Sequence, residues 1–205
     1  MTPVAITYKY FKYYKMEIVK QNIKNLYSKD KNLQGESYRI LMNLTDKPVD
    51  FAYDIWDDLL DILKNGNNTS RSIAAQLLCN LAQSDKERRL DKDLPELFKA
   101  TKDEKFVTAR HTLLSLWKIG IVNTHLLKKV LLGLKKRFDE CVNEMNCTLI
   151  RYDICCVFRK MFDILLDENI YKISLKLIET EDDLKYKKKY LTVWKSRKKV
   201  NVMDC

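Results

Sequence analysis

The sequence predicts an all-α protein, a right-handed superhelical stack of about five helix pairs. Apolar residues recur with the 3.6-residue period of a helix along most of the chain. The same order of helix, polar turn and apolar helix returns at a roughly constant spacing, as in helical repeat proteins. The 205 residues contain only 4 Gly and 3 Pro, too few for the many tight turns of an all-β fold.

The clearest helix pair lies between residues 50 and 82. The stretch FAYDIWDDLLDILKNG carries one apolar stripe and is predicted to end at Gly66. A polar turn follows, and Thr69 or Ser70 is the predicted N-cap of the next helix, RSIAAQLLCNLA. Two helices joined by so short a turn form an antiparallel hairpin.

Four further pairs repeat this order along the chain. They are MEIVKQNIKNLYS with GESYRILMNL, LPELFKATKDEK with FVTARHTLLSLWKIG, THLLKKVLLGLKKRF with LIRYDICCVFRKMFDILL, and IYKISLKLIE with LKYKKKYLTVW. The core predicted from these helices includes Leu59, Leu63, Leu77, Leu81, Leu113, Trp117, Leu131, Phe158 and Leu165. The repeat domain is predicted to span residues 16–196, between an extension at 1–15, poorly ordered or capping, and a basic tail at 197–205.

Each second helix carries one basic residue shortly before its apolar run. These residues, which we call the basic column, are Arg39, Arg71, Arg110, Arg151 and Lys187, about 37 residues apart on average. In a stacked array they would line up, either as a ladder that binds phosphates or as internal ties. We favour internal ties, each pairing with a loop carboxylate such as Asp46, Asp103 or Glu104, because contacts between neighbouring units stabilise a solenoid.

The second helices SRSIAAQLLCNLA and FVTARHTLLSLWKIG resemble the second helix of HEAT and armadillo-like repeats, which has an arginine beside small residues and then leucines. The resemblance covers about residues 17–195. It is nearest to short bacterial HEAT-like chains and more distant to DNA alkylation-repair repeat proteins. It implies a non-catalytic scaffold that binds a macromolecular partner, expected to be a protein, on a concave face lined by second helices.

The net charge of +10 is concentrated at the two ends of the chain. Residues 1–32 carry seven lysines against two carboxylates, and residues 185–205 carry eight basic side chains against one carboxylate. The alternative function is therefore nucleic-acid binding. Its candidate residues are Arg71, Arg110, Arg151, Lys187, Lys188, Lys189, Arg197, Lys198 and Lys199.

The tract KYKKKYLTVWKSRKK interleaves these lysines with aromatic residues. Stacking on aromatic faces together with charge neutralisation is how single-stranded nucleic acid is bound. At helical spacing, Tyr190, Leu191 and Trp194 are more simply the inner face of a final capping helix. The two interpretations are compatible.

Signals for catalysis are sparse in this chain. His111 and His125 have no metal-ligand spacing, and no cofactor, nucleophile or phosphate-loop motif is present. Asp153 beside Arg151 and Tyr152 is the nearest approach to a reactive cluster, and a glycosylase-like activity is the remote enzymatic alternative. We expect no metal, no cofactor and no small-molecule substrate.

The six cysteines and the absence of long apolar runs bear on cellular location. Cys79, Cys155 and Cys156 lie in apolar helical stretches, and no CxxC pair occurs, so buried free thiols are expected. No run of 18 apolar residues and no secretory signal pattern is present. These observations predict a cytoplasmic protein without a membrane span.

Overall fold

A computed structural model describes the backbone of residues 3–195 and the side chains of residues 14–195. Every regular element in this part of the chain is a helix, which confirms the all-α prediction. The chain forms two compact units, Met1–Glu87 and Arg88–Cys205. Their boundary lies inside the region predicted as one repeat domain.

Unit 1 contains two helix pairs. Within each pair the two helices pack on each other, and the second helices of the two pairs contact one another, as do the first helices. The helices are α1 (Pro3–Asn25), α2 (Lys31–Thr45), α3 (Ala52–Asn65) and α4 (Asn68–Leu81), and a 3-10 turn, Ala82–Ser84, follows α4.

Unit 2 contains the other three pairs. The predicted helix over residues 106–120 is broken by a turn at Leu116, so the second member of the first pair consists of two segments. The helices are α5 (Leu90–Ala100), α6 (Phe106–Ser115), α7 (Trp117–Gly120), α8 (Thr124–Glu140), α9 (Cys147–Leu165), α10 (Glu168–Glu179) and α11 (Leu184–Lys195). The second helix α9 packs against both α6 and α11, and the first helices α8 and α10 contact each other.

Side-chain caps fix where several helices begin. The predicted cap of α4 is wrong: Asn67, not Thr69 or Ser70, is the N-cap, and its side chain accepts a hydrogen bond from the backbone N–H of Ser70. The Ser70 hydroxyl instead donates to the backbone oxygen of Leu26 at 2.6 Å. The predicted end of α3 at Gly66 is confirmed.

Most of the predicted core is buried. Among the predicted residues, Leu59, Leu77 and Phe158 are fully buried. Two predictions are wrong: Trp117 is only half-buried, and Leu165 is 37% exposed. The break at Leu116 turns Leu116 inward in place of Trp117, and Leu165 lies in the last turn of α9.

The N-terminal region is helical on both sides of the predicted boundary at residue 15. Helix α1 runs from Pro3 to Asn25 without interruption. Within residues 3–195, no helix is both long and apolar enough to cross a bilayer.

Candidate functional site

Arg110 of the basic column forms a bidentate ion pair with Asp153. Its Nε donates to Asp153 Oδ2 at 2.7 Å and its Nη2 to Oδ1 at 3.0 Å. The Asp153 side chain is 1% exposed, and burial raises its pKa although the Arg110 guanidinium opposes that shift. The hydrogen bond to Asp153 raises the pKa of Arg110. Arg110 on α6 is therefore tied to α9 of the next pair by a helix carboxylate rather than by a loop carboxylate.

This ion pair also involves Asp153, the residue that comes nearest to a reactive cluster in the sequence. Both oxygens of Asp153 accept hydrogen bonds from Arg110, and the side chain is buried. A carboxylate in this setting acts in packing, because neither oxygen faces an open site.

Arg151 makes a second set of internal contacts. Its Nη1 lies 2.9 Å from Glu181 Oε2, and its Nε donates to the backbone oxygen of Phe138 at 3.2 Å. The guanidinium carbon lies 4.7 Å from the centroid of the Phe138 ring. Both partners of the ion pair are mostly buried. Arg151 thus joins α8, α9 and the loop before α11.

The remaining members of the basic column differ from one another. Arg71 Nη1 donates to the backbone oxygen of Gly66 at 2.9 Å, and Lys187 Nζ to that of Glu179 at 2.9 Å. Arg39 is exposed and forms no ion pair with the part of the chain that is described. The column is therefore not a row of equivalent cations.

Helix α11 has an aromatic inner face and a basic outer face. Tyr190 is fully buried, and the Trp194 indole N–H donates to Ser174 Oγ at 3.1 Å. Lys188 and Lys189 are exposed, and Lys189 Nζ lies 4.7 Å from the centroid of the Tyr152 ring. Three predicted binding residues, Arg197, Lys198 and Lys199, lie outside the described residues.

Sequence reasoning missed two buried arginines outside the basic column. Arg137, 2% exposed, pairs with Glu144 at 2.6 Å and donates to the backbone oxygen of Thr101. Arg159 pairs with Asp163 at 2.8 Å and donates to a backbone oxygen of α11. The only sequence signal for Arg137 is its place in the apolar stripe of α8, directly before a buried phenylalanine.

Unit 2 also has two surface grooves, one on either side of α8. The α5–α8 groove has a volume of about 500 Å³ and the α8–α10 groove about 390 Å³. Leu132, which is 70% exposed, lines both. In contrast, every residue of α9 from 147 to 163, all of them described, is buried or half-buried. The exposed surface of unit 2 therefore lies more on first helices than on α9.

Two thiols meet at the start of α9. Cys141 Sγ lies 3.1 Å from Cys147 Sγ, and burial raises the pKa of Cys141 to about 12. Cys79, Cys141, Cys147 and Cys155 are free. Across residues 3–195 no group of three or more metal-ligating side chains occurs.

Comparisons with protein-family models, with curated proteins and with solved structures found no match to this chain. The resemblance to HEAT repeats therefore remains a prediction from the sequence, and the arrangement of residues described above is what supports a function.

Proposed function

We propose that the chain is a non-catalytic scaffold of stacked HEAT-like helix pairs that binds a macromolecular partner, and that this partner is a protein. Such a scaffold presents a broad preformed surface and spends little conformational entropy on binding.

Polar contacts between successive helix pairs carry this proposal. In unit 1, Tyr38 donates to Gln76, 38 residues away, and Asn80 donates to Thr45, 35 residues away. In unit 2, Lys102 contacts Glu140 across 38 residues. These separations match the spacing of about 37 residues in the sequence, as expected when each pair repeats the position of the one before.

The surface available in unit 2 favours a partner on the first helices. The sequence interpretation put the partner on a concave face lined by second helices. Helix α9, a second helix, offers no fully exposed side chain between residues 147 and 163, all of which are described, whereas α8 has a groove on each side.

The scaffold proposal is tested by affinity capture from the native cell, with the tagged full chain as bait and cross-linking before lysis. The Leu77→Asp variant, which is expected not to fold, serves as the control for non-specific capture. A protein enriched on wild type over this control, and retained after nuclease treatment, supports the proposal. Equal recovery on both baits contradicts it, and loss after nuclease points to nucleic acid.

A second candidate function, nucleic-acid binding, draws on the basic outer face of α11, where exposed lysines lie beside Tyr152 and Tyr186. It predicts a gel shift of single-stranded DNA that weakens steeply with salt. Neutralising the basic set should abolish the shift, whereas Lys172→Gln on α10 should preserve it. No shift at low salt would eliminate this candidate. The basic set is Lys187, Lys188, Lys189, Arg197, Lys198 and Lys199.

A further inference from the structure

The α5–α8 groove has an apolar floor made by one close contact. Phe98 of α5 lies directly against α8 at Gly133, where a methyl group would overlap the aromatic ring. Glycine inside a helix costs about 1 kcal/mol relative to alanine, so its presence here is explained by this approach of ring to backbone. Leu94, Pro95 and Leu132 also line the groove.

The rim of the α5–α8 groove is basic. Lys129 pairs with Asp91 at 2.7 Å near one end, and Lys102 pairs with Glu140 at 2.6 Å near the other. The two carboxylates that line the groove are thus each engaged by a lysine of this chain. Two more lysines, at positions 99 and 136, also line it, so cations outnumber carboxylates.

The α8–α10 groove repeats this combination. Its apolar lining residues are Leu131, Leu132, Ile173 and Leu177, and its lining also includes three exposed lysines, Lys128, Lys135 and Lys176. No carboxylate is among its lining residues, all of which lie in the described part of the chain. Two neighbouring grooves therefore share Leu132 and an excess of positive charge.

The length of the α5–α8 groove fits a short helix. Two ion pairs mark its ends, Asp91 with Lys129 and Lys102 with Glu140. They are separated by eleven residues along the segment of α5 and by eleven residues along α8. At 1.5 Å per residue this distance is about 16 Å, or about three helical turns. The walls are helices whose backbone groups are bonded internally, so an extended peptide would find few partners for its own backbone.

The charge and the shape of the two grooves favour some ligands over others. An anionic amphiphile with one carboxylate would balance only one positive charge and would leave the rest of the excess positive charge of the grooves unmatched. The two ends of this chain are basic and would be repelled. In a second copy, the acidic helix α3 exposes Asp54, Asp57, Asp58 and Asp61, but its apolar stripe is buried within its own unit.

We propose that the paired grooves on either side of α8 form a docking site for an acidic amphipathic helix of a partner protein. The apolar face of that helix lies over Phe98 and Leu132, and its flanking carboxylates meet the lysines of the two rims. This inference rests on the proposed scaffold function and names the chemistry of the partner. Electrostatic attraction from the lysines speeds association, and the apolar floor slows release.

The test is fluorescence anisotropy with the full chain and a labelled helical peptide of about 18 residues, with leucines on one face and glutamates on both flanks. Wild type should bind this peptide and should not bind the matched peptide with glutamine in place of glutamate. Leu132→Asp should weaken binding at least tenfold, and Lys128→Glu with Lys135→Glu roughly tenfold at about 50 mM salt. All three residues are exposed, so these variants are expected to fold.

Two matched controls lie outside the grooves. Leu184→Asp changes a leucine of the same exposure, 70%, and Lys172→Glu reverses an exposed lysine of α10. Both should bind the peptide as wild type does. Absence of binding by wild type, or equal binding by Leu132→Asp and Leu184→Asp, overturns the inference. Binding to phosphatidylserine vesicles with no binding to the peptide also overturns it, in favour of a membrane surface.

The outcome separates this inference from the scaffold function. If partner proteins are captured equally by wild type and Leu132→Asp while the peptide does not bind, the scaffold function stands and the docking site is wrong. If the peptide binds through Leu132 but the cell yields no protein above the unfolded control, the site stands and the scaffold function fails.

Discussion

Removing the Arg110 side chain is expected to strand the carboxylate of Asp153. In Arg110→Met the Asp153 side chain, 1% exposed, loses both hydrogen bonds to the guanidinium. Loss of one partner of a buried ion pair costs about 3–5 kcal/mol of unfolding free energy. Protonation sets an upper limit to this cost, because the folded variant can take up a proton and bury a neutral carboxyl instead of a charged one. With an unfolded-state pKa of about 3.9, holding that proton at pH 7 costs about 4 kcal/mol.

The same limit gives the variant a distinctive pH dependence. Between about pH 4 and the raised pKa of the stranded carboxyl, the folded variant holds a proton that the unfolded chain has lost. Its unfolding free energy therefore falls as pH rises, by up to about 1.4 kcal/mol per pH unit. Because the pKa of Asp153 is already raised in wild type, the deficit relative to wild type should be at most about 1.5 kcal/mol at pH 5 and at most about 4 kcal/mol at pH 7.

The measurement is thermal unfolding followed by circular dichroism at both pH values. For a chain of this size, 4 kcal/mol corresponds to a decrease in Tm of roughly 8–16 °C. The control, Arg110→Met with Asp153→Leu, removes the buried charge altogether and should recover most of the loss without the pH dependence. If Arg110→Met melts like wild type at both pH values, the ion pair does not tie α6 to α9.

Three further perturbations test the packing. Gly66→Ala should lower the unfolding free energy by about 1–3 kcal/mol, since its Cβ would lie 2.6 Å from a backbone oxygen. Gly35→Ala, whose Cβ would have nothing within 4 Å, should raise the unfolding free energy by about 0.5–1 kcal/mol. Urea titrations measure both changes. Leu77→Asp places an unpaired charge at a fully buried position and should abolish the cooperative melting transition; wild-type melting would show that α4 is not a core helix. Burial raises the pKa of Cys155 to about 12, so at pH 8 maleimide should label Cys147 first and Cys155 only in denaturant, as read by mass spectrometry. Equal labelling of both thiols in the folded protein would contradict that burial.

The helix pairs could be predicted because their signals are local. An apolar stripe identifies each helix, and Gly66 and Gly120 end helices as predicted. The N-cap of α4 is not predictable from the local sequence, because Asn67, Thr69 and Ser70 are all good capping residues. The choice depends on a distant contact, since the Ser70 hydroxyl donates a hydrogen bond to the backbone oxygen of Leu26.

The partners of charged residues and the grooves needed coordinates. The spacing of the basic column predicts that Arg110 and Arg151 occupy similar places, but not that one reaches Asp153 on a helix and the other Glu181 in a loop. The sequence does not identify Leu132 as part of a binding site. A leucine next to the apolar stripe of a helix is predicted to be buried, and only the structure shows that this one is exposed.

The polar contacts between successive pairs restrict how the length of this chain can change. Inserting one residue into α4 before Asn80 would rotate the rest of that helix by about 100° and carry the amide away from Thr45. Lengthening the loop between two helices leaves the same contact intact. Insertions and deletions are therefore expected to be tolerated in loops rather than inside these helices.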